Sequence, residues 1–352
     1  MRTSDFDYPL PPELIAQAPI EPRDASRLLV LHRDSGQVEH SGFRDVEQYL
    51  RPGDLLVANE SRVIPARLLG HKVPTGGRVE MLLLKKRNNS TWEVLLKPGR
   101  RVQPGAVVAI ERSGTRGEAV STVVNAQVLE ITPTGGRVVA FSVPIEPWLS
   151  QVGVVPLPPY IRAPLTDPER YQTVYSHVNG SVAAPTAGLH FTSELLELLS
   201  QKGIGMAFLT LHISLDTFRP VQEEQVETHA MYTEYCELPP DTCAAINRTR
   251  AMGGRVVAVG TTTVRVLETA AKRFTPESME LQPFSGLTNI FIYPGFRFRV
   301  VDTMITNFHL PRSTLLMLVA AFAGKARIDH AYQEAIRERY RFYSFGDAML
   351  IL

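Results

Sequence analysis

The sequence predicts an α/β protein: a main α/β domain drawn from both ends of the chain, with a small all-β, barrel-like domain inserted between them. Three observations carry this. After about Trp148, apolar runs with the texture of buried strands alternate with helical patterns, which implies an α/β layer with some parallel pairing. Before it, a middle stretch breaks into short Val-, Leu- and Ile-rich runs divided by turn signals, with no helical stripe among them. The chain has 352 residues, room for roughly two domains at about 150 residues each.

In the first region Pro9, Pro11, Pro12, Pro19 and Pro22 favour extended backbone. Residues 27–32 and 54–59 then read as strands, and 43–50 as a short helix stopped by Pro52-Gly53. In the second region the punctuation is Gly76-Gly77, Asn88-Asn89, Pro98-Gly99, Pro104-Gly105, Ser113-Gly114 and Gly135-Gly136. Between these, Val79-Glu80-Met81, Trp92-Glu93-Val94 and residues 138–143 fit strands, because branched and aromatic side chains suit a pleated, half-buried surface. The third region supplies strands at 206–213 and 255–260 and helices at 193–201, 263–274, 312–322 and 329–341. Ser193 is the expected cap of the first helix and Gly203 its expected stop. The domain limits that follow are 1–67 with 144–352 for the α/β domain and 68–143 for the β unit, an insertion of the kind tolerated where chain ends lie close together.

Composition removes several function classes. Lys and Arg number 37 against 36 Asp and Glu, so a nucleic-acid partner has no support from total charge and needs a local basic patch. The candidates are Lys85-Lys86-Arg87, Arg100-Arg101, Arg297 with Arg299, and Arg337, Arg339 and Arg341, with Trp92, Phe296 and Phe298 nearby as stacking or core aromatics. Cys236 and Cys243 are too few for a disulfide framework or a zinc knuckle, which leaves reduced thiols in a cytoplasmic protein. No His-Glu-x-x-His or similar spacing occurs, so no metal site is expected. The acidic N-terminus is not a signal peptide, and the apolar run at 315–323 is far short of the ~20 residues of a membrane helix, so it reads as a buried one.

The sharpest local feature is Val256 to Glu268, VVAVGTTTVRVLE. Gly260 turns the chain, and Thr261, Thr262 and Thr263 bring hydroxyls and free N–H groups to a helix start, a ready anion site. Arg265 adds a fork for a carboxylate or phosphate; in the plainer reading it pairs with Glu268 on the same helix face. The second feature, AAPTAGLHF at 183–191, combines Thr186, Gly188 and His190 in a small-residue loop that a ligand can approach and where a histidine can move protons. His212 ends a strand and His309 follows Asn307 in TNFHLP, near the carboxyl end of strands where ligand crevices form. Each histidine alone is more often structural than catalytic.

These motifs resemble the S-adenosylmethionine:tRNA ribosyltransferase-isomerase family of queuosine biosynthesis over nearly the whole chain. The resemblance runs through Pro52-Gly53-Asp54-Leu55-Leu56, RVIPARL from Arg62, LPPYI from Leu157, YQTVY from Tyr171, the AAPTAGLHF loop, the GTTTVR junction, residues 290–296, 306–314 and 340–349. It implies an α/β domain with an inserted β-barrel and a reaction in which the ribosyl part of S-adenosylmethionine, a co-substrate, is transferred and isomerised. The acceptor is the aminomethyl group of 7-aminomethyl-7-deazaguanine at the tRNA wobble position; the products are epoxyqueuosine-tRNA, adenine and methionine. On this basis His190 or His212 is the acid or base. Thr261, Thr262 and Arg265 hold the methionine carboxylate, Thr186 and Gly188 belong to the substrate loop, and Asn307 and His309 orient the ribose or target base. A cytoplasmic monomer is expected. The family usually has Gly-x-Gly after Leu-His, where this chain has Ser214-Leu215-Asp216; it has Glu60-Ser61 where Asp-Thr is usual, and Tyr232 where His is. Alternatives from other classes are a non-catalytic tRNA-binding paralogue on the same scaffold and an S-adenosylmethionine-dependent methyltransferase, against which the missing glycine-rich nucleotide loop counts.

Overall fold

The strands expected near 27–32, 54–59, 206–213 and 255–260 all form and join five others in one nine-stranded sheet. Its order is Phe284–Thr288, Glu234–Leu238, Gly205–Leu211, Leu55–Asn59, Val256–Val259, Thr303–Asn307, Ala348–Ile351, Arg27–Leu31 and Val38–Gly42. The four strands from Gly205–Leu211 to Thr303–Asn307 run parallel, and antiparallel partners close them on both sides. Every residue of Leu55–Asn59, Val256–Val259 and Thr303–Asn307 is buried, as parallel strands covered on both faces require.

The computed structural model describes residues 1–112, 122–133, 135–213, 221–273 and 280–352. These divide into two units: Met1–Arg62 with Pro158–Asn179 and Ala184–Leu352, and Val63–Leu157 with Gly180–Ala183. The limits 68–143 drawn from sequence fall inside the second unit. The turn expected at Ser113-Gly114, the helix end expected at Phe274 and the segment Ser214-Leu215-Asp216 lie outside the described residues.

In the first unit helix Ser193–Gln201 packs Leu195 and Leu199 onto Leu56, Ala58, Val257, Val259 and Ile305. Its cap is Thr192 rather than Ser193, because the Thr192 hydroxyl accepts the Leu195 N–H at 3.1 Å. The helix expected at 263–274 begins earlier, as Thr261–Ala271. Gly260 has φ +87°, so the chain leaves the strand and enters the helix within one residue that tolerates a left-handed backbone. Thr314–Ala323 and Lys325–Arg337 form a helical pair joined at Gly324. Phe43–Gln48 is a 3₁₀ segment, not an α-helix. Helix Pro240–Ala251 and strands Val38–Gly42, Glu234–Leu238, Phe284–Thr288, Thr303–Asn307 and Ala348–Ile351 have no counterpart in the sequence-based expectations.

The second unit contains the expected barrel. Arg67–Val73, Arg78–Lys86, Thr91–Lys97, Arg137–Phe141, Thr122–Ile131 and Val107–Glu111 pair antiparallel in that order, and Arg67–Val73 pairs with Val107–Glu111 to close the ring. Alternation puts Met81, Leu83, Val94, Val108, Ile110, Val128 and Val139 inside. Among the described residues no helix is long and apolar enough to cross a membrane.

Candidate active site

The parallel strands point their carboxyl ends at one cavity of the first unit. Ile213 follows the 205–211 strand, Gly260, Thr261 and Thr262 follow Val256–Val259, and Thr306 to Leu310 end Thr303–Asn307. The AAPTAG loop contributes Ala184 to Ala187, and Tyr160, Tyr343 and Ser344 complete the wall with Leu315. This is where open α/β sheets bind ligands, since loops diverge beyond the strand ends.

Asn307 is the polar hub. Its Nδ2 donates to the Tyr343 carbonyl at 3.2 Å and lies 3.1 Å from His190 Nε2; its Oδ1 accepts from Thr186 Oγ1 at 3.1 Å. His190 is buried, with Nδ1 2.7 Å from Ser26 Oγ and its ring stacked on Phe43 at 4.9 Å between centroids. Burial, helped by the nearby cations Arg341 and Arg23, brings its pKa down to about 3. The ring is therefore neutral at physiological pH, both nitrogens are engaged, and it stands behind Asn307 instead of lining the cavity.

His309 does line it. Its Nε2 is 2.7 Å from Thr306 Oγ1, its backbone N–H donates to Tyr332 Oη at 2.9 Å, and burial brings the ring pKa to about 3. His212 differs. It does not itself line the cavity, although its neighbour Ile213 does; it is half-buried, stacks on Tyr235 at 5.8 Å, and its Nδ1 has no partner among the described residues. Burial lowers its pKa and the Glu237 carboxylate opposes that.

The helix start opens on the cavity at Thr261 and Thr262 without a side-chain cap. Thr262 Oγ1 is held by Asn59 Nδ2 at 3.4 Å. The Asn59 amide is itself fixed by the Leu211 carbonyl on Nδ2 and by the Leu211 and Ser61 N–H groups on Oδ1. Arg265, expected at the ligand, does not line the cavity. It is buried in an ion pair with Glu234, while Glu268, the alternative partner, accepts the N–H groups of Arg299, Val300 and Val301. On an 11-residue helix position 265 falls about one turn beyond the opening and faces the sheet. Gly188 also stands off the cavity: a Cβ there would sit 2.0 Å from the Tyr175 hydroxyl, so the position needs a glycine for packing.

Sequence reasoning did not single out Ser26, Asn59, Tyr160, Tyr343 or Ser344. Tyr160 lies in LPPYI and Tyr343-Ser344 in the 340–349 motif, so the motifs contained the signal without saying which member faces inward. Tyr343 has φ +71°, a costly conformation for an aromatic residue. Four members of the basic clusters are in ion pairs: Lys86 with Glu146 and Arg87 with Glu93 in the second unit, Arg337 with Glu334 and Arg341 with Asp347 in the first. Trp92 is buried in the barrel and Phe298 packs edge-on against Phe322. Cys236 and Cys243 are free and buried, and burial raises both thiols to about 11.

Comparison with known proteins extends these observations along the chain. A family model described as queuosine biosynthesis protein matches residues 3–351. Proteins named S-adenosylmethionine:tRNA ribosyltransferase-isomerase from Moorella thermoacetica and Symbiobacterium thermophilum are each 55% identical, with 100% of both chains covered. The crystal structure of an S-adenosylmethionine tRNA ribosyltransferase from Thermotoga maritima is similar at a TM-score of 0.56 and 42% identity, over 99% of this chain and 100% of that one. With the family match running from residue 3 to residue 351, this chain belongs to the queuosine biosynthesis protein family.

Proposed function

We propose that this enzyme transfers the ribosyl moiety of S-adenosylmethionine to the aminomethyl group of 7-aminomethyl-7-deazaguanine at the tRNA wobble position and isomerises it, giving epoxyqueuosine-tRNA with release of adenine and methionine. The observation that carries this reading is the full-length identity of 55% to proteins bearing that enzymatic name. The cavity chemistry supports it, since an uncapped helix start suited to an anion and neutral polar groups share one lining.

In this reading S-adenosylmethionine is a co-substrate, and Thr261 and Thr262 hold its methionine carboxylate through the helix N–H groups. Thr186, Asn307 and His309 border the ribosyl part. His212, one residue before the cavity-lining Ile213, is the proton-transfer group, because its Nδ1 has no partner among the described residues whereas both nitrogens of His190 are taken. A neutral imidazole can accept the acidic proton beside the sulfonium and later assist departure of adenine. Enclosure by Tyr160, Tyr343 and Leu315 favours exclusion of water from a ring-opened intermediate. The protein acts as a monomer in the cytoplasm, where tRNA is modified.

The test is product analysis after incubation with S-adenosylmethionine and tRNA carrying 7-aminomethyl-7-deazaguanine. Adenine and methionine are expected in equal amounts, with the modified nucleoside in the tRNA. S-Adenosylhomocysteine would mean methyl transfer, and tRNA binding with no small product would mean a non-catalytic paralogue.

A further inference from the structure

Hydrogen-bond polarity around Asn307 can be read from one fixed point. The Tyr343 carbonyl can only accept, and it lies 3.2 Å from Asn307 Nδ2, so the carboxamide presents its amino group there and its Oδ1 to Thr186. The same amino group is 3.1 Å from His190 Nε2, which must then accept, so the ring proton is on Nδ1 and is donated to Ser26 Oγ at 2.7 Å. At the other end Asn307 Oδ1 can only accept, so the Thr186 hydroxyl spends its single proton on it. What Thr186 Oγ1 turns to the cavity is lone pairs. Thr262 Oγ1, which also lines the cavity, accepts from Asn59, which leaves its own proton free to donate, beside the N–H groups of the helix start.

We infer that Ser26 and His190 are positioning residues that, together with the Tyr343 carbonyl, hold Asn307 so that Thr186 is an obligate acceptor, and that Thr186 selects a hydroxyl of the ribosyl group while the helix start takes the carboxylate. This rests on the reading of S-adenosylmethionine as substrate and adds to it a direction of binding: acceptor end of the ligand to Thr261 and Thr262, donor end to Thr186. His190 suits the task because it stays neutral. Protonated, Nε2 would face the Asn307 amino group donor to donor, and the carboxamide would keep the Tyr343 carbonyl as the one acceptor for its amino group.

The experiment measures the Kd of the full chain for S-adenosylmethionine and for its 2′-deoxy and 3′-deoxy analogues, in the wild type, Thr186→Val, Ser26→Ala and the double variant. Thr186→Val is expected to weaken S-adenosylmethionine roughly tenfold, about one neutral hydrogen bond, and to leave the affinity for one deoxy analogue unchanged. Ser26→Ala should weaken S-adenosylmethionine several-fold alone and add nothing on top of Thr186→Val, as expected if it acts through that hydroxyl. Equal weakening of all three ligands by Thr186→Val, or full additivity of Ser26→Ala, overturns the inference. Histidine ¹⁵N shifts check the same point without ligand: a neutral His190 protonated on Nδ1 is expected, and a proton on Nε2 overturns it. Wild-type protein that binds none of the three ligands sinks the functional reading and this inference with it, whereas binding without a hydroxyl preference sinks the inference alone.

Discussion

Burial lowers the pKa of His190 and of His309 to about 3 and shifts His212 the same way, yet the three side chains are left with different chemistry. His190 has Ser26 on one nitrogen and Asn307 on the other, and His309 holds Thr306. His212 keeps Nδ1 without a partner among the described residues. A group that must take and return a proton needs such a vacancy, so His212→Ala is expected to lower kcat by roughly a hundredfold or more. The pH–rate profile is the check. Because its pKa is lowered, the neutral base form of His212 persists below pH 6.5, the value of an ordinary imidazole. The acid limb of kcat/KM should therefore fall below that value in the wild type and vanish in the variant. A normal rate for His212→Ala would remove it from proton transfer. From residue types alone the three histidines were indistinguishable, since each sits in a short motif at a strand end or loop.

At the level of elements, the legible ones carry their information locally. Helix Ser193–Gln201 shows an apolar stripe at Leu195 and Leu199, a hydroxyl before it and Gly203 after it, and it forms where expected. Its cap is Thr192, one residue before the expected Ser193, because the two adjacent hydroxyls offer the same chemistry and backbone geometry chooses between them. Thr192→Ala is expected to destabilise the protein by about 1 kcal/mol, and Ser193→Ala by less than half of that, as read from paired thermal or urea melts. The reverse order would return the cap to Ser193. Strands Thr303–Asn307 and Ala348–Ile351 are short, wholly buried runs without alternation, and such runs cannot be told from helix by period. Helix Pro240–Ala251 is not legible in the sequence because it buries only Thr242, Cys243 and Ile246, too few for a stripe.

Across the whole molecule, the sheet draws its four central parallel strands from residues 55–59, 205–211, 256–259 and 303–307, so the cavity at their ends belongs to no single segment. The same architecture makes stability depend on pH through the histidines it encloses. Between about pH 3 and pH 6.5 the unfolded chain binds protons at His190 and His309 and the folded chain does not. Stability therefore rises with pH through that window and is lost on acidification, by on the order of 1.4 kcal/mol per pH unit for each histidine. Urea denaturation at pH 7 and pH 4.5 should show a drop of several kcal/mol, and His309→Gln should make the slope shallower. A flat profile over this range would mean that the two rings are not held neutral.

Local period, turn chemistry and ordered motifs carry the fold class, the barrel, the strand-to-helix turn at Gly260 and the family, so these were legible in the chain alone. Tertiary structure alone decided which members of those motifs face the ligand. Ser26 and His190 are 164 residues apart, His190 and Asn307 are 117 apart, and Arg265 finds Glu234 on a neighbouring strand rather than Glu268 on its own helix. A hydrogen bond needs two partners within about 3 Å, and for these residues the second partner comes from a part of the chain that local pattern cannot see.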